Sequence, residues 1–278
     1  MPVDETLIDQ ALNALDVERI RDLRAGGQKT VLLVGRDAAE LVMKVIALGS
    51  SSPDAMSRAR REVELLLSLD NAHVVKVASD LVELGSPAVG VAWLEVFLEG
   101  EDLSDLVGSP WNWNDVAALA ADVGSGLAAL HHVKVVHRDL SANNVRRLTN
   151  GSFVVMDPGF ARHTLRSDLT IGGQPGTPGF LSPDHLQSYS GAPTPASDIF
   201  CLGNLMFLAL TGSLAVAVGD DLADYIQRLA RVDVGDLAAL RPDLSSDRVA
   251  FVRSCLHAQP ARRPRNATRF LEALGKVP

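Results

Sequence analysis

The chain has 278 residues, 47% of them hydrophobic and 22% charged, enough to enclose one large core or two. A net charge of −8 and a pI near 5.3 give no electrostatic footprint for nucleic acid or for an anionic membrane surface, so proteins and small molecules are the expected partners. The two cysteines, Cys201 and Cys255, sit in apolar helical patterns without metal-ligand spacing, and a reducing, cytoplasmic setting is expected.

Residues 1–17 read as an acidic helical extension, without the basic run and apolar stretch of a signal peptide. From 18 to 100, short β-type runs (KTVLLVG, ELVMKVIAL, VAWLEVFL) surround one helical segment, SRARREVELLLSL, with Val63, Leu66 and Leu67 assigned to one face. This predicts a small sheet carrying one helix. From 101 to 278 the pattern is mainly helical, apart from a hairpin through NNVRRLTNGSFVVMD, whose turn centres on Asn-Gly. Pro and Gly gather in 172–195, a stretch too long for a simple connection and so read as a functional loop. Residues 199–219, IFCLGNLMFLALTGSLAVAVG, are long enough to span a bilayer. Asn204, the Thr211-Gly212-Ser213 break and the preceding Asp198 fit a shorter, fully buried helix better, so no membrane partner is expected.

Residues 135–145, VVHRDLSANNV, are too polar for a buried strand, and DPG follows at 157–159. Phosphoryl transfer needs a carboxylate to orient and deprotonate a hydroxyl, a carboxylate with an amide to hold Mg²⁺, and a cation on the nucleotide phosphates. Asp139, then Asp157 with Asn144, then Lys44 can fill those roles. Asp139 and Asp157 stand eighteen residues apart, at the start and the end of the predicted hairpin.

In the order of these motifs the chain resembles the eukaryotic-like protein kinase family over about residues 18 to 274. Lys44 in LVMK resembles the family's strand lysine, and Glu62 its helical ion-pair partner, with Glu64 as the alternative if the register shifts. HRDLSANN resembles the catalytic loop, DPG the Asp-Phe-Gly triplet, and GTPGFLSPD the segment that ends in Ala-Pro-Glu. The resemblance implies an α+β, two-lobed fold, with a small antiparallel sheet and one helix ahead of a larger helical lobe. It implies ATP and Mg²⁺ or Mn²⁺ as cofactors and a protein hydroxyl as acceptor. It also implies that Asp198 braces the catalytic loop and that Arg263 pairs with Asp184. Asp198 is further expected to cap a helix, and His137 reads as a packed histidine.

The same resemblance places the adenine pocket at Val31 and Val42 above the base, the backbone of Val96 and Leu98 beside it, and Asp102 toward the ribose. Several positions depart from the family. RAGGQKTV keeps Gly26 but has Arg24 and Lys29 for the outer glycines. Ser141 replaces the lysine of Ser/Thr kinases, which leaves the acceptor class open with Ser/Thr preferred. Pro158 replaces an aromatic and fixes φ. Glu95 takes the gatekeeper position and Arg146 the pocket floor. Because a lone buried ion costs on the order of several kcal/mol, these two are expected to pair with each other. Arg138 is expected to read a phosphate on Thr170, Ser167 or Thr164, placed there by autophosphorylation. The alternative reading is a pseudokinase scaffold with little turnover; a small-molecule kinase fits less well, because GTPGFLSPD and Arg263 belong to peptide-binding apparatus.

Overall fold

The computed structural model describes residues 3–26, 29–49, 55–158, 179–185, 193–219, 221–232 and 237–278. They form two compact units, one drawn from 1–70 and 75–99, the other from 71–74, 100–158 and 179–278.

The first unit opens with α1 (Glu5–Leu15), whose N-cap Asp4 accepts a hydrogen bond from the Leu7 N–H. There follow β1 (Glu18–Gly26), β2 (Lys29–Arg36), β3 (Ala39–Ala47), α2 (Ala55–Ser68), β4 (Val82–Leu84) and β5 (Gly90–Val96). The five strands form an antiparallel sheet in the order β1-β2-β3-β5-β4. Strand alternation divides its two faces. Met43, Val45 and Ala47 of β3 join Ala92 and Leu94 of β5 and pack with Leu7, Ile8, Ala11 and Leu15 of α1. Ile46, Val91 and Trp93 point the other way, toward Ala55, Ala59 and Val63 of α2. The N-terminal helix is thus part of the first core. Leu67, expected on the packed face of α2, is 52% exposed, because the buried stripe runs through Ala55, Ala59, Val63 and Leu66 and residue 67 lies one step around the helix.

The second unit contains β6 (Gly100–Asp102), α3 (Leu103–Leu106), α4 (Trp113–His132), β7 (Val145–Leu148) and β8 (Phe153–Val155). Then come α5 (Pro195–Thr211), α6 (Leu222–Ala230), α7 (Leu237–Leu240), α8 (Ser246–Cys255) and α9 (Ala267–Leu274). β7 and β8 form the expected hairpin, and Gly151 in its turn has φ +87°, a conformation only glycine adopts without strain. β6 adds a third strand through Asp102↔Arg146. α5 is buried along almost its whole length, and no helix among the described residues is long and apolar enough to cross a membrane. The 199–219 stretch is therefore a core helix that stops at Gly212, whose φ is +72°.

Candidate active site

The site residues of the first unit lie on the sheet face that packs against α2. β3 and β5 pair with Val42 opposite Glu95 and Lys44 opposite Trp93, so Lys44 and Glu95 are diagonal neighbours on one face. Lys44 Nζ stands 2.5 Å from Glu95 Oε1 and 3.9 Å from Glu62 Oε1 on α2. Lys44, Glu95 and Glu62 are only 4%, 3% and 1% exposed. Trp93 Nε1 donates to the same Glu95 oxygen at 3.0 Å. Val31, opposite Lys44 on β2, and Val42 are half-buried on this face, and Gly26 ends β1 opposite Lys29. Val96 donates its N–H to Lys76 O at 2.9 Å, so any base contact from its backbone falls to the carbonyl. Leu98 is half-buried.

In the second unit the loop before β7 is fixed from beneath by Asp198, which is fully buried on α5. Its Oδ2 accepts from the His137 N–H at 2.8 Å and from His131 Nε2 at 2.9 Å, and its Oδ1 accepts from the Arg138 N–H at 3.0 Å. The Ala267 N–H donates to His131 Nδ1, which leaves the ring proton on Nε2, facing the carboxylate. Arg138 has φ +68°, a strained value for a side-chain-bearing residue that these bonds over-determine. Burial alone would raise the Asp198 carboxyl, but the bond from His131 and the charge and N–H of neighbouring groups hold it below its ordinary value. The expectation that Asp198 caps α5 does not hold: Pro195 opens the helix, and the cap position falls on Thr194, whose N–H donates to Ser197 Oγ.

From that base Asp139 and Asn144 meet: Asn144 Nδ2 donates to Asp139 O at 2.7 Å and to Asp139 Oδ2 at 3.1 Å. The Met156 N–H donates to Asn144 O, and His137 Nε2 lies 3.0 Å from Met156 O, tying the residue before Asp157 to the same loop. His137 is fully buried and accepts the Asp139 N–H on Nδ1, as a packed, bridging histidine would. Asp157 itself is half-buried with φ +50°.

Arg146 donates to Asp102 Oδ1 at 2.8 Å and to Gly100 O at 2.6 Å. Gly100 has φ +149°, and an added Cβ would fall 2.0 Å from Arg147 O, so this close strand approach requires glycine. The expected Glu95–Arg146 pair is replaced by two others. Glu95 takes Lys44, and Arg146 takes Asp102, its cross-strand partner; each charge is neutralised within its own unit. Arg263 holds Asp184 with two bonds of 2.7 and 3.2 Å, both residues buried. Gly159 and the candidate hydroxyls Thr164, Ser167 and Thr170 lie outside the described residues.

A family model described as the protein kinase domain matches residues 18–273, which is nearly the whole chain. The chain belongs to the protein kinase domain family. It is 30% identical over 251 residues to the probable serine/threonine-protein kinase PkwA of Thermomonospora curvata, covering 88% of this chain and 32% of that protein. It is 25% identical over 257 residues to mitogen-activated protein kinase kinase 9 of Arabidopsis thaliana, covering 91% and 82%. Serine/threonine-protein kinase PknK of Mycobacterium tuberculosis is 30% identical over 170 residues, 60% of this chain and 15% of that protein. This kinase domain thus spans about a third of the length of PkwA and less of PknK.

Whether the kinase domain's residues suit a divalent cation can be judged from Asn144. Its Oδ1 is buried and accepts no hydrogen bond, although its Nδ2 is fully committed to Asp139. A stranded amide oxygen close to the Asp157 segment is the hard donor set that Mg²⁺ or Mn²⁺ takes, and the residues fit. Sequence reasoning did not find His131 or the Lys44–Glu95 pair. The first is signalled only by its place at the end of α4, the second by the alternation of β5, which puts Glu95 on Trp93's face.

Proposed function

We propose that this kinase domain transfers the γ-phosphoryl group of ATP to a serine or threonine hydroxyl of a protein. The observation that carries the proposal is Asn144: its amide nitrogen holds Asp139, and its buried oxygen accepts no hydrogen bond, which suits it to meet a cation. Asp139 orients the acceptor hydroxyl and takes its proton, and Lys44 supplies positive charge to the nucleotide phosphates. A divalent cation held by Asn144 and Asp157 would neutralise charge that builds on those phosphates. Val31, Val42, Val96 and Leu98 would contact the base, Gly26 the phosphates, and Asp102, already paired with Arg146, the ribose. Such a complete set favours turnover over a scaffold role. The serine/threonine preference rests on the names of PkwA and PknK and on GTPGFLSPD.

Acceptor class is tested by acid hydrolysis of a generic protein labelled from γ-labelled ATP. Label in phosphoserine and phosphothreonine, abolished by chelating Mg²⁺, is expected; label confined to phosphotyrosine overturns the assignment. Autophosphorylation is expected at Thr170 first, with Ser167 and Thr164 as secondary positions and Arg138 as the reader of the phosphate. Mass spectrometry of ATP-treated, active protein checks this. An active protein with all three hydroxyls unmodified removes that regulatory reading.

A further inference from the structure

Within the first unit, Glu95 and Glu62 both bring a carboxylate within ion-pair range of Lys44, and the two are not equivalent. Glu95 Oε1 is in direct contact at 2.5 Å, whereas Glu62 Oε1 stands at 3.9 Å, beyond hydrogen-bond range. Attraction falls with distance, and only the shorter contact adds a charge-assisted hydrogen bond. The two acids also differ in what holds them. Glu95 sits on β5, which pairs with β3 in unbroken register from Leu41↔Val96 to Ala47↔Gly90, and is bridged on its other side by Val77. Its contacting oxygen is also pinned by the Trp93 indole N–H at 3.0 Å, and Trp93 is fully buried. Rotating Glu95 away from Lys44 would strand that N–H. The Trp93 ring lies 5.8 Å from Lys44 Nζ, within range of a cation–π contact. Glu62, by contrast, reaches the lysine from a separate helix.

We propose that Glu95, rather than Glu62, is the principal positioning residue for Lys44, so that the phosphate-binding lysine is anchored from within its own sheet. The inference deepens the kinase reading and rests on it for its catalytic meaning. The motif order pairs the lysine with the acid on α2. Here the dominant acid cannot move without the strand. Lys44 therefore keeps its neutralising partner whatever the position of α2, and Glu62 becomes a supporting charge.

Three single variants of the full chain, read also in combination with Lys44→Met, test this: Glu95→Gln, which keeps an oxygen for Trp93 but deletes the charge; Glu95→Met, which puts an apolar side chain in its place; and Glu62→Gln. Two readouts are taken, kcat and KM for ATP on a generic protein substrate, and coupling to Lys44→Met in urea unfolding. Glu95→Gln is expected to lower kcat by about 10²-fold with little change in KM, because a misplaced lysine is felt mainly in the transition state. Glu62→Gln is expected to lose less than about tenfold, because its carboxylate stands beyond hydrogen-bond range of the lysine. In unfolding, Lys44→Met and Glu95→Gln should be strongly non-additive, and Lys44→Met and Glu62→Gln much less so. A larger kcat loss in Glu62→Gln, or Glu95→Met at or above wild-type kcat, overturns the proposal. So does stronger coupling of Lys44 to Glu62 than to Glu95. The unfolding cycle needs no turnover: Lys44–Glu95 coupling in a chain that transfers no phosphate would defeat the kinase reading while leaving the anchor in place.

Discussion

Changing Asp157 to Asn is expected to lower metal-dependent phosphoryl transfer by about 10²-fold or more while leaving the fold intact. Asn is nearly the same shape and can keep the unusual φ of +50°, which Asp and Asn tolerate better than other residues. It cannot keep the charge. Asn144 offers a cation only an uncharged oxygen, so loss of the Asp157 carboxylate removes the charged member of that donor pair. Because Asp157 is half-buried and is not part of the apolar core, its unfolding midpoint should stay close to wild type. Lys44→Met should show a comparable loss of turnover through the phosphates, but with lower stability, since it leaves Glu95 buried and uncompensated. A Mg²⁺ titration of the initial rate, with urea unfolding in parallel, checks both. Wild-type rates in the two variants would remove the assigned roles.

Asp198→Ala is expected to destabilise the second unit by about 3–5 kcal/mol and to inactivate what remains folded. The substitution strands the His137 N–H, the Arg138 N–H and His131 Nε2 at once, all converging on one buried carboxylate. Without those bonds the left-handed backbone at Arg138 loses the carboxylate that holds its N–H, and the orientation of Asp139, the next residue, is weakened. The same carboxylate gives a pH signature. Its folded value lies below the ordinary 3.8, so the native state binds fewer protons than the unfolded chain. Its stabilising contribution is present above that ordinary value and is lost as pH falls through the lower folded value. Acid unfolding of wild type and Asp198→Ala followed by circular dichroism should therefore converge at low pH. A gap that persists unchanged through that range would contradict this reading.

How much of this was legible in the sequence follows from which interactions are local. The β3 and β5 runs, the Asn-Gly hairpin and the buried helix at α5 declare themselves through periodicity and turn chemistry, and their places agree with the structure. β1 gives no periodic signal in the sequence because ERIRDLRAG is a charged edge strand whose register is set by β2 rather than by an apolar pattern of its own. β6 is only three residues long, too short for any periodic signal. The helical character of residues 5–15 was visible, but the surface receiving Leu7, Ile8, Ala11 and Leu15 depends on strands far along the chain.

At the site, residue identities were legible and partnerships less so. Arg263 meets Asp184 as the motif order implied. The pairing of Glu95 is hidden from any count of buried charges because it depends on sheet register, which places Lys44 diagonally across from Glu95 and Asp102 directly across from Arg146. The role of Asp198 was half visible. Its neighbour Pro195 moved the helix start and freed the carboxylate for the loop.

What separates a kinase from a scaffold here is whether the domain turns ATP over onto protein rather than only binding it. A single-turnover reaction tests it most directly, with enzyme and generic protein substrate in excess over γ-labelled ATP and Mg²⁺, quenched over time and compared with Asp139→Asn. Wild type should move label from ATP to protein one for one, and the variant should bind the nucleotide yet transfer label about 10²-fold more slowly or less. Wild-type protein that binds Mg²⁺-ATP and leaves all of the label on the nucleotide, or an Asp139→Asn rate equal to wild type, would contradict it.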